Sequence, residues 1–129
     1  MRFIFLAGLF VALAATVSAA PSDKKPKPVD IKKEILDSCG SIPYGVVDLD
    51  GKNASKDEME EGKFQVTSFI TQVDVYQDCL LRLQKTLGDR LTPKDIEVIE
   101  AAILQSQQEK EAVGKAYNAA VDEFNKTHK

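Results

Sequence analysis

Few side chains in this sequence are suited to covalent chemistry. Cys39 and Cys79 are the only thiols, and the single histidine, His128, is the penultimate residue. A nucleophilic cysteine needs a base held close to it, and residues at a chain end are seldom held rigidly. Two thiols in one small domain usually form a disulfide in an oxidising compartment, to which the N-terminal sequence discussed below points, so we predict a Cys39–Cys79 bridge. A free or an intermolecular pair is the alternative.

A polar group in the middle of a predicted helix pair is the candidate ligand site. Ser106 and Lys110 occupy core-facing positions of the last helix, and Tyr76 lies opposite them in the predicted register. We expect the Tyr76 hydroxyl to bond Ser106 and the Lys110 ammonium to extend to Asp74 or Asp78. A polar layer that fixes the register of the two helices is the favoured interpretation, and a small-molecule site is the alternative.

The segment VDLDGKNASKDEME, residues 47–60, has carboxylates and a glycine spaced partly as in a calcium loop. With Gly51 at the sixth position of such a loop, Asp50 and Asp48 fall at the fifth and third. The first position then holds Val46 and the twelfth holds Asp57, where the loop requires an acid and a glutamate. We therefore interpret the segment as a turn that leads into a helix, and metal binding by the two aspartates is the alternative.

The rest of the sequence contains no constellation for catalysis or for a cofactor. It lacks a Cys/His cluster, a glycine-rich phosphate loop and a serine with a plausible base. We predict no enzymatic activity, no cofactor and no metal site. Without Arg2, which belongs to the signal peptide predicted below, the chain has 16 basic and 20 acidic residues. This negative balance gives no electrostatic reason to expect nucleic acid as a partner.

The N-terminal sequence predicts export. Residues 1–19 place one arginine before an apolar run and end in small residues, which is typical of a signal peptide. The apolar run is shorter than the ~20 residues of a permanent membrane helix, so we expect no integral membrane segment after cleavage. Residues 20–30, rich in lysine and proline, predict a flexible tether, and residues 31–129 a single domain.

The remaining periodicity predicts an all-α fold. A short helix is expected from Ile31 to Cys39, and two long helices follow, separated by a break at residues 88–92. A capping box at Ser55–Glu58 and a Thr92-Pro93 start precede them. Core-facing residues of both long helices recur at alternating steps of three and four, which predicts an antiparallel, coiled-coil-like hairpin. These residues are Met59, Gly62, Val66, Phe69, Val73, Tyr76, Leu80, Leu83 and Leu87, then Ile96, Ile99, Ile103, Ser106, Lys110, Val113, Tyr117, Ala120 and Phe124.

Two further placements follow from this hairpin. The predicted register puts Gly62 opposite Ala120, and Phe64 and Val75 beside Cys79 are the expected seat of the short helix. Three of the apolar side chains outside the core-facing rows are candidates for a homodimer contact, which is one way to cover them. They are Ile70, Leu81 and Leu104.

Several short motifs resemble those of a group of small exported proteobacterial proteins of uncharacterised function. The shared pattern is D-G-x-x-A-[ST]-x-x-E-M, then Y-x-x-C-L, then Y-N-x-x-V-[DE], with an earlier cysteine near a proline. Here it corresponds to residues 50–59, 76–80 and 117–122, and to Cys39 near Pro43. The resemblance implies a periplasmic protein of a Gram-negative bacterium with a helical hairpin, and it brings no activity or ligand residues.

These observations lead to a functional expectation. We expect a non-catalytic periplasmic protein that presents its hairpin to a protein partner or to a second copy of itself. A small-molecule or metal-binding periplasmic protein is the alternative, and an enzyme is the third choice.

Overall fold

The computed structural model describes residues 26–129. The predicted signal peptide, residues 1–19, and the first part of the predicted tether lie outside the described residues. Residues 26–30 have no regular secondary structure, and within them Val29 packs against the hydrophobic core.

The architecture is all-α, and the described residues contain no strand, which confirms the predicted fold class. A short helix is followed by two long helices that pack together as an antiparallel hairpin. The elements are α1 (Ile31–Cys39), α2 (Lys56–Leu87), a single 3₁₀ turn (Gly88–Arg90) and α3 (Pro93–Thr127).

Both long helices begin where predicted, α2 at the Ser55–Glu58 capping box and α3 at the Thr92-Pro93 start, where the structure forms a second capping box. The Ser55 hydroxyl accepts the Glu58 amide at 3.2 Å, and the Glu58 carboxylate accepts the Ser55 amide at 2.7 Å. Thr92 and Asp95 make the same reciprocal pair at 3.2 and 2.8 Å, just before Pro93. Each box satisfies backbone donors that a helix start leaves without partners, which is why the two helices begin at these positions.

The predicted core-facing rows are confirmed, because every residue in them is buried or half-buried. The buried residues fall into two groups along the hairpin. Cluster 1, near the turn, contains Ile31, Ile35, Tyr76, Leu80, Leu83, Leu87 and Ile99. Cluster 2, near the open end, contains Val66, Phe69, Val73 and Val113.

Helix α1 covers cluster 1 and is joined to α2 by the predicted Cys39–Cys79 disulfide, whose Cα atoms are 5.7 Å apart. The predicted seat on Phe64 and Val75 is wrong, because these side chains are 70% and 60% exposed. Instead, Ile31 and Ile35 pack among residues of both long helices. A groove between two helices buries more apolar area per side chain than the outer surface of one helix does.

After α1 the chain runs towards the open end of the hairpin through residues 41–54, which we call the strap; the strap is extended as far as Asp50 and ends in a turn. Gly40 ends α1 with φ 78°, a conformation that favours glycine. The strap then lies on α2 and α3, and its inward residues are packed closely against them. A Cβ at Gly45 would be 2.8 Å from the Phe69 ring, and one at Gly51 would overlap the Ala120 carbonyl.

The strap also changes the expected environment of Gly62. The space beside Gly62 is filled by Leu49, whose Cδ2 is 2.9 Å from the position of an added Cβ. Ala120, the residue expected opposite Gly62, has its carbonyl in contact with Gly51. The small residues of the two helices therefore accommodate the strap.

None of the helices between residues 26 and 129 is both long and apolar enough to cross a membrane.

Candidate functional site

The predicted polar layer lies between clusters 1 and 2. Ser106 is fully buried, and its hydroxyl donates to the Ile103 carbonyl at 2.8 Å. The same hydroxyl accepts a hydrogen bond from the Gln77 amide at 3.1 Å, and Gln77 also donates to Gln107 at 3.3 Å. The buried Ser106 hydroxyl therefore has both a donor and an acceptor partner within the protein. It does not need a ligand to satisfy its hydrogen bonds.

Tyr76 is part of cluster 1, and Gln77 makes the hydrogen bond to Ser106 that we expected from Tyr76. Burial among apolar side chains raises the pKa of the Tyr76 hydroxyl. Tyr76 and Ser106 therefore lie in the same region of the hairpin without sharing a hydrogen bond.

Lys110 reaches out of the layer, as predicted, and its Nζ lies 2.7 Å from Asp74 Oδ1. The lysine side chain is 22% exposed and the aspartate 54% exposed. The pair links α3 to α2 beside the Gln77–Ser106 bond, an arrangement that fixes helix register.

The predicted turn at Asp50-Gly51 is present, and the Asp50 carboxylate is engaged within it. Its Oδ2 accepts the Asn53 side-chain amide at 2.6 Å, and Oδ1 accepts the Lys52 backbone amide at 3.1 Å. These hydrogen bonds, that from Asn53 foremost, lower the pKa of the Asp50 carboxyl. Within residues 26–129, no three His, Cys, Asp or Glu side chains are grouped to hold a metal ion.

A cleft of about 670 Å³ lies between the strap and the first half of α2. Its floor is apolar, and its rim carries carboxylates from both sides. The floor contains Val47, Leu49, Val66, Phe69 and Val113; the rim contains Asp48, Asp50, Asp57, Glu58 and Glu61. A cleft of this size and character is within the usual range for binding sites.

The five rim carboxylates fall into two groups. Asp50 belongs to the turn, and Glu58 belongs to the capping box of α2, whose hydrogen bonds from Ser55 lower the Glu58 pKa. Asp48, Asp57 and Glu61 take part in none of the ion pairs formed by the described residues, and Glu61 accepts only the Gln65 side-chain amide. The rim is therefore negative, and three of its carboxylates form no ion pair with the residues that the structure describes.

The strap side of the cleft has the alternation of a β-strand. From Tyr44 to Asp50, exposed and half-buried residues alternate without exception. Gly45, Val47 and Leu49 point towards the helices, and Tyr44, Val46 and Asp48 point to solvent. Among the described residues, positions 41–49 form no backbone–backbone hydrogen bond.

Sequence reasoning did not anticipate this cleft. The sequence predicts a turn and a helix start for residues 47–60 and core-facing positions for Val66, Phe69 and Val113, and nothing local indicates where an extended segment will lie. The sequence does contain one signal for an extended segment packed against the helices. Glycine or an apolar residue occupies every second position from 45 to 51, namely Gly45, Val47, Leu49 and Gly51.

His128 lies at the C-terminal end of α3, where its ring stacks on Phe124 with centroids 4.1 Å apart. Its Nδ1 lies 3.0 Å from the Phe124 carbonyl oxygen. The cysteines, which form the disulfide, are joined near the other end of the molecule. The structure therefore does not bring the histidine and the two sulfur atoms together.

Comparison of the chain with known proteins gave no matching family model, no matching curated protein and no matching solved structure.

Proposed function

We propose that this chain is an exported, non-catalytic interaction protein that binds a segment of another protein in the cleft beside the strap. The observation that carries the proposal is the cleft itself, with its apolar floor and its negative rim. Apolar contacts supply affinity at such a site, and the few polar groups supply orientation.

The disulfide supports the exported part of this proposal. A structural bond between Cys39 and Cys79 persists in an oxidising compartment such as the bacterial periplasm, whereas cytosolic thiols are kept reduced. The resemblance to exported proteobacterial proteins points to the same compartment.

The contacts of the polar side chains between the two long helices support the proposal that the protein is non-catalytic. The nearest candidates for a reactive group, Tyr76, Ser106 and Lys110, make internal packing, hydrogen-bond and ion-pair contacts that explain their positions. The cleft has carboxylates but contains no histidine, cysteine, serine or lysine in its lining.

Photo-crosslinking in the organism that encodes the chain tests the proposal. The substitution Val46→p-benzoylphenylalanine places the reactive group at the cleft, and Phe64→p-benzoylphenylalanine is the matched control on an exposed position of α2 outside it. We expect a discrete protein adduct from position 46 and none from position 64. Equal labelling at both positions, or no adduct at position 46, would contradict a partner bound in the cleft.

Small-molecule binding in the same cleft is the second candidate, because about 670 Å³ would also accommodate a metabolite. A thermal-shift screen against periplasmic metabolites and divalent cations separates the two. A ligand-dependent rise in Tm for one metabolite, together with no adduct at position 46, would favour the small molecule.

Self-association is the remaining outcome of the crosslinking experiment. Leu81 and Leu104 are 54% and 59% exposed, whereas Ile70 packs partly against cluster 2. An adduct of twice the chain's mass from position 46 would identify the partner as a second copy.

A further inference from the structure

The strap is an extended segment with the side-chain alternation of a β-strand, and it pairs with no other strand in the part of the chain that the structure describes. Its side chains alternate between the helices and solvent from Tyr44 to Asp50, so its backbone N–H and C=O groups point sideways, along the surface of the hairpin. Residues 41–49 form no backbone–backbone hydrogen bond with other described residues. Backbone groups of this kind are strong donors and acceptors, and an unpaired strand edge is a ready template for another strand.

One side of this segment is also a wall of the cleft. Val46 to Asp50 line it on the strap side, and α2 lines it on the other side through Asp57, Glu61 and Gln65. At about 3.3 Å per residue, the five strap residues present an edge of roughly 17 Å. A peptide lying in the cleft would therefore run beside an unpaired edge of matching length.

The negative charge of the rim favours a positively charged occupant of the cleft. Asp48, Asp57 and Glu61 line the cleft and have no cationic partner among the described residues. Val47, Leu49 and Phe69 lie below them. A strand that alternates basic and apolar residues would meet both surfaces, because alternate side chains of a strand point to opposite faces.

We propose that the cleft binds an extended basic segment of a partner protein, which adds to the strap as a β-strand and places lysine or arginine beside Asp48, Asp57 and Glu61. The inference rests on the proposed function and names the chemistry of its partner. Main-chain hydrogen bonds supply affinity in this mode of recognition, and side-chain pockets supply specificity.

The chain's own basic segment is a poor occupant. Residues 21–30, PSDKKPKPVD, carry three lysines, but three of their ten residues are prolines, which lack the N–H that strand pairing requires. The segment also has only one strongly apolar residue, Val29, and that residue packs against cluster 1. The occupant is therefore assigned to a different protein.

Titration of the isotope-labelled full mature chain with synthetic peptides tests the inference. The probe is a capped peptide of sequence TKVKVKT, and TEVEVET is its charge-reversed control. We expect TKVKVKT to shift the amide resonances of residues 46–49, with an affinity that weakens as sodium chloride is raised. Equal binding of the charge-reversed peptide would overturn the basic assignment.

Two N-methylated versions of TKVKVKT test the backbone pairing. One is methylated at the lysine nitrogens and the other at the valine nitrogens, so each blocks one edge of the peptide strand. Because only one edge faces the strap, one version should lose at least about tenfold in affinity and the other should bind nearly as well as the parent. Unchanged binding by both versions would overturn strand addition.

Variants of the protein test the carboxylates. Asp57→Asn combined with Glu61→Gln should weaken TKVKVKT binding by about three- to tenfold, as expected for two exposed ion pairs. Glu97→Gln combined with Glu100→Gln is the matched control, since these exposed α3 residues do not line the cleft. Equal loss in both double variants would show a general charge effect and contradict the assignment.

Failure of this inference is distinguishable from failure of the proposed function. A protein adduct at position 46 without binding of TKVKVKT would leave the interaction role standing and overturn the basic strand as its occupant. Absence of both would overturn both. Binding of PSDKKPKPVD as tightly as TKVKVKT would transfer the cleft to a second copy of this chain and overturn the assignment to a partner.

Discussion

The two ends of the hairpin are covered in different ways. Near the turn, helix α1 lies in the groove between α2 and α3, and cluster 1 has seven buried residues. Near the open end, the extended strap lies on the same pair of helices, and cluster 2 has four. The disulfide belongs to the first region and the cleft to the second.

This difference follows from the shape of the covering segment. A helix is about 10 Å across and presents an apolar stripe, so α1 fills its groove with Ile31 and Ile35. An extended chain is thinner and offers one inward side chain in every two residues. Of the four inward positions of the strap between residues 45 and 51, two are glycine and one is valine. These small side chains leave the cleft open beside the strap.

The polar layer marks the boundary between the regions. Helices α2 and α3 are joined there by the hydrogen bond from Gln77 to Ser106 and by the ion pair between Asp74 and Lys110. The hairpin thus combines a half that is covered by α1 and closed by the disulfide with a more open half, where the strap backbone and the carboxylates of the cleft are exposed.

Removing the disulfide should have the largest effect on this comparison. Cys39→Ser with Cys79→Ser should lower the free energy of unfolding by about 4 kcal/mol, because the bond closes a loop with a sequence separation of 40. Chemical denaturation with and without the bond measures the change, and the reduced native chain is the matched control. Hydrogen exchange should rise in α1 more than in the strap. A denaturation midpoint unchanged from that of the native chain would contradict the role assigned to the bond.

A side chain at Gly51 should have the next largest effect, at the opposite end. In Gly51→Ala the new Cβ would overlap the Ala120 carbonyl, and backbone atoms cannot move aside as a flexible side chain does. We expect a loss of about 2 kcal/mol of stability and detachment of the strap.

Gly114→Ala is the control for Gly51→Ala. Gly114 lies within α3 and an added Cβ meets nothing within 4 Å, so alanine should raise stability by roughly 0.5–1 kcal/mol. Thermal unfolding of both variants, with strap methyl resonances as the local probe, provides the measurement. Equal stability of the two variants would show that the strap does not rest on Ala120.

The elements set by local signals were predictable from the sequence. Ser55–Glu58 and Thr92–Asp95 fix helix starts through contacts three residues apart, and the core-facing rows follow from helical periodicity. The disulfide was predicted from the presence of two cysteines in a chain whose N-terminal sequence predicts export.

The placement of the covering segments was not predictable in the same way. Phe64 and Val75 had the right spacing to receive α1, yet the groove that includes Ile99 buries it better. Gln77 took the hydrogen bond expected from Tyr76 because burial in cluster 1 holds the tyrosine ring elsewhere. The strap follows contacts such as Leu49 on Gly62, whose partners are distant in the sequence and have no local signature.

Loss of a helix cap should have a smaller effect, and its location should depend on which cap is removed. Ser55→Ala and Thr92→Ala should each lower stability by about 1 kcal/mol, because each removes the acceptor of a backbone N–H. Ser55→Ala should increase amide exchange at the start of α2, beside the cleft, and Thr92→Ala at the start of α3. Ser55→Asp retains an acceptor and should preserve stability. Fraying at the same site in both alanine variants would contradict the separation of the two ends.

The smallest expected effects come from pH, and they should affect opposite ends of the molecule. The pKa of Asp50 and that of Glu58 are lowered from 3.8 and 4.5 by hydrogen bonds at the open end. Their contribution to stability is therefore present above those values and is lost as pH falls through the folded-state pKa. The pKa of Tyr76, in cluster 1, is raised above 10.0 by burial, so its contribution is present below that value and is lost as pH rises through the folded-state pKa.

Methyl resonances report these two losses separately, since Leu49 lies on Gly62 at the open end and Ile35 in cluster 1. On acidification below about pH 4.5, the Leu49 methyls should shift first. On alkalinisation above about pH 10, those of Ile35 should shift first. Asp50→Asn should weaken only the acid response, whereas Tyr76→Phe, which removes the ionisable hydroxyl, should weaken only the alkaline one. If both methyl groups respond together at each extreme, the two halves open as one unit, which would contradict a cleft that loosens independently of the disulfide-bonded half.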